Sequence, residues 1–396
     1  MKNASLSADA QATALLVGRF GKGSAKPLTR TEFNLVAKAL HLHGLRPSDL
    51  FRQVPEDLPI EGERISSLIS RGTALSLAVE SWGQVGIRVV SRADDEYPLR
   101  FRKLLKSGST PVLYYSGDLS MLERATVCVV GSRDATDAGL RFAQRIAENA
   151  AAEGIVIVSG DARGVDRAAM EAALSRGGCV VGIVADSLAK SVLSKRYREA
   201  IAGGRLLLLS HVEPDAHFNV AQAMERNRYL YAAGDVVIVA DSDIKGGTWS
   251  GAIENLKRRW APAFVRTGSE VREGNLALLQ EGLLEISEAW LDRSAPLTSL
   301  FAARTQPPES PTLFSSREST QVGQKEEQSD GQFFFSLFCE RLLPHLEAPL
   351  VTSQIAERLD LEISQTKIWL NRAAADGLIE LTADQEWKIT SGIRGR

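Results

Sequence analysis

The sequence of 396 residues is poor in the side chains that build metal centres and disulfide frameworks. It contains five histidines and only three cysteines, Cys128, Cys179 and Cys339, and none of them stands at the spacing of a ligand set. Cys128 and Cys179 lie inside apolar runs typical of buried strands, which favours small buried residues in a reducing compartment. We therefore expect neither a disulfide nor a bound metal.

Long apolar runs and a positive net charge are also missing. No stretch approaches the roughly 20 apolar residues that cross a bilayer, and the first residues, MKNASLSADAQ, lack the charged-then-apolar order of a signal peptide. The formal net charge is −2 at pH 7, so a nucleic-acid site would have to be a local basic patch. These absences predict a cytoplasmic protein with no membrane partner.

The chain divides by composition into four segments. We predict a small helical N-terminal domain, a Rossmann-like domain, a disordered linker and a winged-helix-like domain over residues 1–90, 91–303, 304–331 and 332–396. In the first segment, apolar residues such as Leu75, Val79 and Trp82 recur at helical steps. The third is rich in Pro, Ser, Gln and Glu. In the fourth, two helical patterns precede two short strand patterns, which is the winged-helix order.

The centre of the chain alternates apolar strand patterns with helical ones. The strand patterns lie at residues 126–130, 155–159, 179–184, 205–210, 235–240 and 262–266. A helical pattern covers residues 137–152, and residues 94–117 are predicted as an extended lead-in. Apolar strands separated by helices predict a parallel sheet covered on both faces, and right-handed crossovers make it a doubly wound, Rossmann-like α/β fold.

Gly131, Ser132 and Arg133 follow the first strand, at the carboxyl edge where parallel sheets bind ligands. Glycine lets backbone N–H groups approach an anion, the next helix N-terminus favours negative charge, and Arg133 adds a donor suited to phosphate. Arg133 stands where the dinucleotide fingerprint has its second glycine, so we expect no NAD and no other cofactor. A glycine needed only for the turn, beside a solvated Arg133, is the alternative.

A second glycine-rich sequence, SGDARGVD, follows the second strand. Its small and charged residues predict another phosphate-binding loop beside the first, formed by Ser159, Gly160, Arg163, Gly164 and Asp166. The carboxylate of Asp166 falls in the first turn of the next helix, where the helix dipole stabilises it and it can hold the loop. A simple helix cap is the alternative for this residue.

These motifs, in this order, resemble the DNA-processing protein DprA (Smf) family. The two glycine motifs match its paired signature, and Arg226, Asn227 and Arg228 match its R-N-R motif before a strand. The resemblance covers residues 94–266. It implies a protein that is not an enzyme, binds single-stranded DNA without strong sequence preference, loads a RecA-type recombinase and forms a homodimer. The implied processes are recombination, transformation and defence against foreign DNA.

The chain departs from the family pattern at two places. The family has a histidine shortly after its G-[IV]-D motif, close to where this chain has Met170. The family's Gly-, Tyr- and Pro-bearing segment after the third strand is replaced by a sequence in which Lys195 and Arg196 keep a basic character. We predict that these two residues contact DNA, with a solvated helix face as the alternative.

Gly246, Gly247 and Thr248 form a third glycine-rich segment, predicted to bind phosphate. Together with Glu254 they resemble the G-G-x-G-T-x-x-E loop of the LOG nucleotide phosphoribohydrolases. A carboxylate there could stabilise an oxocarbenium-like transition state and activate water. The alternative function is therefore a nucleotide-binding sensor or a phosphoribohydrolase with Glu254 as its catalytic residue.

Two basic residues of the tail, Lys367 and Arg372, lie on the second helix of the predicted winged helix. Such a helix can place basic side chains on DNA phosphates. Because Glu357 and Asp376 lie close in sequence, a protein-interaction module is the alternative.

Overall fold

The computed structural model describes residues 6–20, 25–292, 295–304, 339, 342, 346, 349–359, 363–376, 378–382 and 386–390. The chain forms two compact units, Met1–Ser310 and Pro311–Arg396. Apart from residue 304, the predicted linker at 304–331 lies outside the described residues.

Four helices come before the sheet: α1 (Ala8–Val17), α2 (Arg30–Leu42), α3 (Gly62–Ile69) and α4 (Gly72–Gln84). Helix α2 begins at a capping box, in which Thr29 and Glu32 each bind the backbone N–H of the other. Ala14, Leu75 and Trp82 pack into the same apolar core as residues of the sheet. Helices α1 and α4 thus share a core with the sheet, whereas α2 and α3 pack in a separate apolar cluster. A separate domain over 1–90 stays a prediction.

Nine strands form a single sheet in the order β1-β2-β6-β5-β4-β3-β7-β8-β9. Their bounds are β1 (Arg88–Ser91), β2 (Val112–Ser116), β3 (Thr126–Gly131), β4 (Val156–Ser159), β5 (Val180–Val184), β6 (Leu206–Ser210), β7 (Val236–Asp241), β8 (Ala263–Thr267) and β9 (Leu284–Ser287). Strands β3 to β9 pair in parallel, and β1 and β2 extend the β6 edge in antiparallel pairing. The predicted α/β fold with a mostly parallel sheet is confirmed.

Strands β1 and β9 were not predicted from the sequence, and β2 lies in the stretch predicted only as an extended lead-in. The stretch 94–117, predicted as extended, instead contains helix α5 (Leu99–Leu105) before β2. Strands β1 and β9 are four residues long and partly exposed, so they lack the continuous apolar run of a buried parallel strand. Cys179 comes just before β5 and is half-buried, whereas Cys128 is buried in β3.

Helices cover both faces of the sheet. The further helices of this unit are α6 (Asp137–Ala152), α7 (Val165–Ser175), α8 (Leu188–Leu193), α9 (Lys195–Ala202), α10 (Val220–Ala233), α11 (Gly247–Arg258), α12 (Glu273–Gln280) and α13 (Glu288–Asp292). Alternate residues of β3 face opposite layers. Val127 and Val129 join the core with α6 and α7, while Cys128 and Val130 join the core with α10 and α11. This two-sided burial explains why β3 is apolar throughout.

The strand order reverses at β3. Strands β4, β5 and β6 follow on one side of it, and β7, β8 and β9 on the other. In open parallel sheets, ligands bind in the crevice outside the carboxyl ends of the strands at such a reversal. The ends of β3 and β7 therefore mark the place to search for a site.

The C-terminal unit contains α14 (Thr352–Leu359), α15 (Ile363–Ala375) and the antiparallel strands β10 (Ile379–Leu381) and β11 (Trp387–Ile389). Leu350 adds a β-bridge to Trp387, and a small apolar core holds these elements together. Two helices followed by a hairpin is the order that the sequence predicts, and the assignment as a winged helix stays a prediction.

Candidate nucleic-acid interface

Two glycine loops lie side by side at the carboxyl ends of β3 and β4. The first glycine loop is residues 131–136 and the second is residues 160–164. The backbone N–H of Val165 donates to the Ser132 carbonyl at 3.3 Å. Gly164 has a φ of +89°, and a Cβ added there would lie 2.3 Å from that same carbonyl oxygen. Glycine is required at this position because the two loops touch through their backbones.

Asp166, in the first turn of α7, connects the two loops. Its carboxylate accepts backbone hydrogen bonds from Gly131 and Ala162, and its Oδ2 lies 4.0 Å from Nη1 of Arg226. Burial raises the pKa of Asp166 to about 6, although Arg226 and the two backbone donors act to lower it. A carboxylate of the protein thus occupies part of the backbone cradle that the sequence assigned to phosphate.

The R-N-R motif holds the neighbouring loops in place through its first two residues. Nη1 of the buried Arg226 donates to the Gly160 carbonyl at 2.6 Å and to the Ile183 carbonyl at 2.8 Å. A Cβ on Gly160 would lie 1.7 Å from that nitrogen. The side-chain amide of Asn227 donates to the Gly247 carbonyl at 3.0 Å, at the start of α11. Both side chains therefore organise the fold around the crevice.

Arg228, the third residue of the motif, faces another partner. Its Nε lies 2.9 Å from Oε1 of Glu254, and both side chains are about one-third exposed. Neither belongs to the residues that line the crevice in the described part of the chain. Arg228 was predicted to contact phosphate, and Glu254 is the catalytic residue of the hydrolase alternative. The two side chains pair with each other and lie outside the crevice.

Two adjoining cavities of about 620 and 330 Å³ occupy the crevice. They share Arg133, Ala162, Phe218, Ala223 and Arg226 and so form one continuous groove. The smaller cavity lies between the first glycine loop and the start of α11, at the reversal of strand order.

Basic side chains outnumber carboxylates in the lining of the larger cavity, and Arg163, Arg167, Arg196 and Arg226 are each paired with a carboxylate. Six basic side chains and two carboxylates line it: Arg133, Arg163, Arg167, Lys190, Arg196, Arg226, Asp161 and Asp186. This excess contrasts with the net charge of −2 for the whole chain. A groove of this sign concentrates anions and strengthens their contacts with the protein.

An aromatic side chain stands where the two cavities meet. Phe218 is 50 % exposed, and the guanidinium carbon of Arg133 lies 5.1 Å from the centre of its ring. Both residues line both cavities. An exposed ring beside a cation is an arrangement that stacks on a nucleobase while the cation binds the adjacent phosphate.

Twelve of the predicted site residues line the groove: Gly131, Ser132, Arg133, Gly160, Arg163, Asp166, Arg196, Arg226, Asn227, Gly246, Gly247 and Thr248. Ser159 is buried behind it, where its Oγ donates to the Val129 carbonyl at 2.7 Å. Lys195 is exposed on α9 but is not part of the lining. Lys367 and Arg372 are exposed on α15 of the C-terminal unit.

Asp241 and Arg272 form a pair beside the groove that was not predicted from the sequence. Asp241, fully buried at the end of β7, accepts from the Thr136 N–H at 3.1 Å and from its hydroxyl at 2.9 Å. Nε of Arg272 lies 3.1 Å from the other Asp241 oxygen, and its Nη1 lies 2.6 Å from Asp243. An acidic residue at the end of an apolar strand could have indicated Asp241, whereas Arg272 belongs to no motif.

No sequence motif indicated Phe218 as a site residue. It lies within the stretch that carries the family resemblance, one residue before Asn219, which caps α10. An aromatic residue next to a helix cap, outside any apolar period, was the available signal.

The described residues contain no group of three or more His, Cys, Asp or Glu side chains that could hold a metal ion. Among the helices of that part of the chain, none combines the length and the apolar character of a membrane span.

Comparison with known proteins assigns the central region. A family model for DNA recombination-mediator protein A matches residues 88–289. The DNA processing protein DprA of Streptococcus pneumoniae is 32% identical over 196 residues, which are 48% of this chain and 67% of the relative. Protein Smf of Escherichia coli is 28% identical over 208 residues, 50% of this chain and 53% of the relative.

A solved structure adds agreement in the fold. The X-ray structure of DprA from Streptococcus pneumoniae superposes with a TM-score of 0.54 at 22% identity, covering 67% of this chain and 93% of that one. At this identity the likeness concerns the fold alone. The family model, however, spans just over half of the chain and includes both glycine loops and the R-N-R motif. The chain therefore belongs to the DNA recombination-mediator protein A family, the DprA/Smf family whose motifs its sequence resembles.

Proposed function

We propose that the groove binds single-stranded DNA, with phosphates on its basic wall and a base stacked on Phe218. The observation that carries the proposal is the half-exposed Phe218 ring beside Arg133, at the junction of the two cavities. Nonspecific single-strand binding needs a positive groove for the backbone and an aromatic platform for the bases. Every base has a π face, so such a site tolerates all sequences.

The same feature favours a single strand over a duplex. In a duplex the faces of the bases are stacked on each other and only their edges are accessible. A ring such as Phe218 can therefore contact the base faces of an unpaired strand and not those of a duplex. The basic side chains alone would not discriminate, because both forms present phosphates.

The wider role follows from family membership and from the names of the relatives, which concern DNA processing and recombination. We propose that the chain acts in the cytoplasm on single-stranded DNA during recombination or transformation. In this proposal it works as a homodimer and hands the strand to a RecA-type recombinase. It binds DNA without chemical change, since Glu254 is paired with Arg228 outside the groove lining.

Fluorescence anisotropy with a labelled dT oligomer tests the proposal. We expect Phe218→Ala to weaken binding about tenfold, because stacking contributes about 1–3 kcal/mol per base. Arg133→Ala should weaken binding and reduce the slope of log affinity against log salt by about 1, since it removes a phosphate contact. Arg145→Ala is the matched control, because Arg145 is exposed and pairs with Asp292 outside the groove lining.

The binding proposal fails if duplex DNA competes as well as dT, or if Arg145→Ala weakens binding as much as Arg133→Ala. The non-enzymatic part is tested separately, by chromatography of nucleoside monophosphates incubated with the protein. Free base released by the wild type and lost in Glu254→Gln would instead support the phosphoribohydrolase alternative.

A further inference from the structure

Residues of the N-terminal helices hold the segment that carries Phe218. This segment, residues 211–219, connects β6 to α10 and is called the Phe218 loop below. The backbone N–H of Arg19, just after α1, donates to Oε1 of Glu213 at 2.6 Å. The indole N–H of Trp82, on α4, donates to Oδ2 of Asp215 at 3.1 Å. Both acceptors lie in the first half of the loop.

A third contact holds the helix that follows the loop. Arg30, at the start of α2, forms an ion pair with Glu225 on α10. Both side chains are about one-third exposed. Contacts from three parts of the N-terminal segment therefore converge on the loop and on the first turns of α10.

The side chain of Trp82 is held in place by packing and anchors the loop. Its ring is 6 % exposed and meets Tyr114 edge-on, with centroids 5.2 Å apart and an interplanar angle of 81°. Tyr114 belongs to β2 and pairs with Ser210, the last residue of β6. Because packing fixes the indole, its hydrogen bond fixes the position of Asp215 relative to the end of β6.

The second half of the loop has far less support. His217, Phe218, Asn219 and Val220 are all exposed. Phe218 follows Asp215 by three residues, a distance of at most about 10 Å along the chain. The place where Asp215 is held therefore limits where the Phe218 ring can lie over the groove.

We propose that the N-terminal helices act as a clamp that positions Phe218 for nucleic acid, with Trp82 and Asp215 as its positioning residues. The proposal rests on the function proposed above, since it assigns the binding role to Phe218. Neither Trp82 nor Asp215 belongs to the lining of the two cavities. Their contribution to binding acts through the loop and not through contact with DNA.

The charge of Asp215 and its hydrogen bond with Trp82 should have opposite effects on DNA affinity, so two substitutions can separate them. Removing an exposed carboxylate near an anion-binding groove should by itself strengthen DNA binding. Loss of the indole contact should weaken binding, because Phe218 is no longer held in place. Asp215→Ala combines both changes, whereas Asp215→Asn removes the charge and keeps a side-chain oxygen that can accept from Trp82.

The experiment measures dT affinity for wild type, Asp215→Ala and Asp215→Asn, each with Phe218 and with Phe218→Ala. We expect Asp215→Ala to bind about threefold more weakly, a fraction of one stacking contribution, and Asp215→Asn to bind at least as well as wild type. In the Phe218→Ala background Asp215→Ala should cause no further loss, because the two residues act on the same interaction. Trp82→Phe should reproduce the weakening, since it keeps an aromatic ring and removes the donor.

A control and a ligand-free measurement complete the design. Glu281→Ala removes an exposed carboxylate after α12 and should not weaken binding. Hydrogen exchange without DNA should be faster over residues 211–219 in Asp215→Ala than in wild type or Asp215→Asn, and unchanged over residues 160–164.

The clamp is overturned if Asp215→Ala binds dT as well as wild type, or if it causes the same loss with Phe218→Ala. If wild type does not bind dT at all, the proposed function fails. The hydrogen-exchange measurement, which needs no DNA, is then the test of the clamp. Equal exchange over residues 211–219 in wild type and Asp215→Ala would then overturn it.

Discussion

The two sides of the groove are built in different ways. On one side, the glycine loops make their contacts between motif residues, such as Gly164 against Ser132 and Asp166 on Gly131. On the other side, the Phe218 loop is held by Trp82 and Arg19, which are 133 and 194 residues away from their partners in the chain. The first side is fixed by close backbone packing. The second is fixed by separate hydrogen bonds, which also include those of Ser187 and Ala189 to the Pro214 carbonyl. Substitutions at the backbone contacts of the first side, such as Gly164, should mainly change stability, whereas substitutions at the hydrogen bonds of the second side should mainly change affinity.

The largest effect is expected at Gly164. Gly164→Ala places a Cβ 2.3 Å from the Ser132 carbonyl at a φ of +89°. Backbone strain and overpacking should together lower the free energy of unfolding by about 3 kcal/mol. Urea denaturation followed by circular dichroism measures the change.

Gly177 supplies the matched control for that experiment. Its φ is +76°, but no atom lies within 4 Å of an added Cβ. Gly177→Ala should therefore cost only the conformational part, about 1 kcal/mol. Equal losses for the two variants would show that the contact between the glycine loops does not matter for stability.

The next effect concerns Arg272, which neutralises the buried Asp241. Arg272→Gln removes the cation that contacts that carboxylate, and breaking a buried pair in this way costs about 3–5 kcal/mol. Because Arg272 is 25% exposed, we expect a smaller loss of about 2 kcal/mol in the free energy of unfolding. Asp241 also binds Thr136, so dT affinity should fall as the first glycine loop loosens.

The exposed pair of Arg145 and Asp292 is the control for Arg272. Its members are 2.6 Å apart and 43% and 65% exposed, so Arg145→Gln should change stability by no more than about 0.5 kcal/mol. If Arg272→Gln is equally mild, the loop does not depend on the Arg272–Asp241 pair.

A smaller difference in DNA affinity is expected between Arg163 and Arg228, which the sequence predicted equally as phosphate contacts. Arg163 lines the larger cavity and pairs with Asp134, whereas Arg228 pairs with Glu254 outside the groove lining. Arg163→Ala should weaken dT binding about threefold and reduce the salt slope. Arg228→Ala, the same change of charge, should leave affinity within about a factor of two. The reverse order would place the bound strand beside α11.

The sequence predicted the parallel sheet because its six inner strands are buried on both faces and read as continuous apolar runs. It did not predict β1 or β9, and it predicted β2 only as part of an extended lead-in, not as a strand of the sheet. These strands lie at or next to the edges of the sheet, where β1 and β9 are partly exposed and β1 and β2 pair antiparallel. Their assignment depends on pairing with strands that are distant in the chain, and no local period encodes it.

The site residues divide in the same way, into those with a local sequence signal and those that depend on distant contacts. Glycines and charges that follow a strand are local signals, so most of the residues predicted from them line the groove. The sequence could not show that Arg226 is buried while Arg228 turns away, because helix neighbours two positions apart look alike until α10 is packed. Arg272 and Trp82 act only through tertiary contacts. They had no motif by which to be recognised.

A further prediction concerns the pH dependence of binding and tests the buried pair of Asp166 and Arg226. Asp166 is buried beside Arg226, and burial raises its pKa to about 6. A phosphate bound above it would disfavour the charged carboxylate and raise the pKa further. Binding should then take up protons, so that dT affinity rises about threefold as the pH falls from 8 to 5 and levels off once Asp166 is protonated in both states.

Asp166→Asn isolates this contribution from that of all other titratable groups. The amide stays neutral at every pH, so this variant should bind about as tightly as wild type at pH 5 and more tightly than wild type at pH 8. Only the part of the pH dependence that comes from other groups should remain in it. If the wild-type and Asp166→Asn curves run parallel, the bound anion does not interact with Asp166. The phosphates would then lie on the outer arginines of the larger cavity and not over the buried pair.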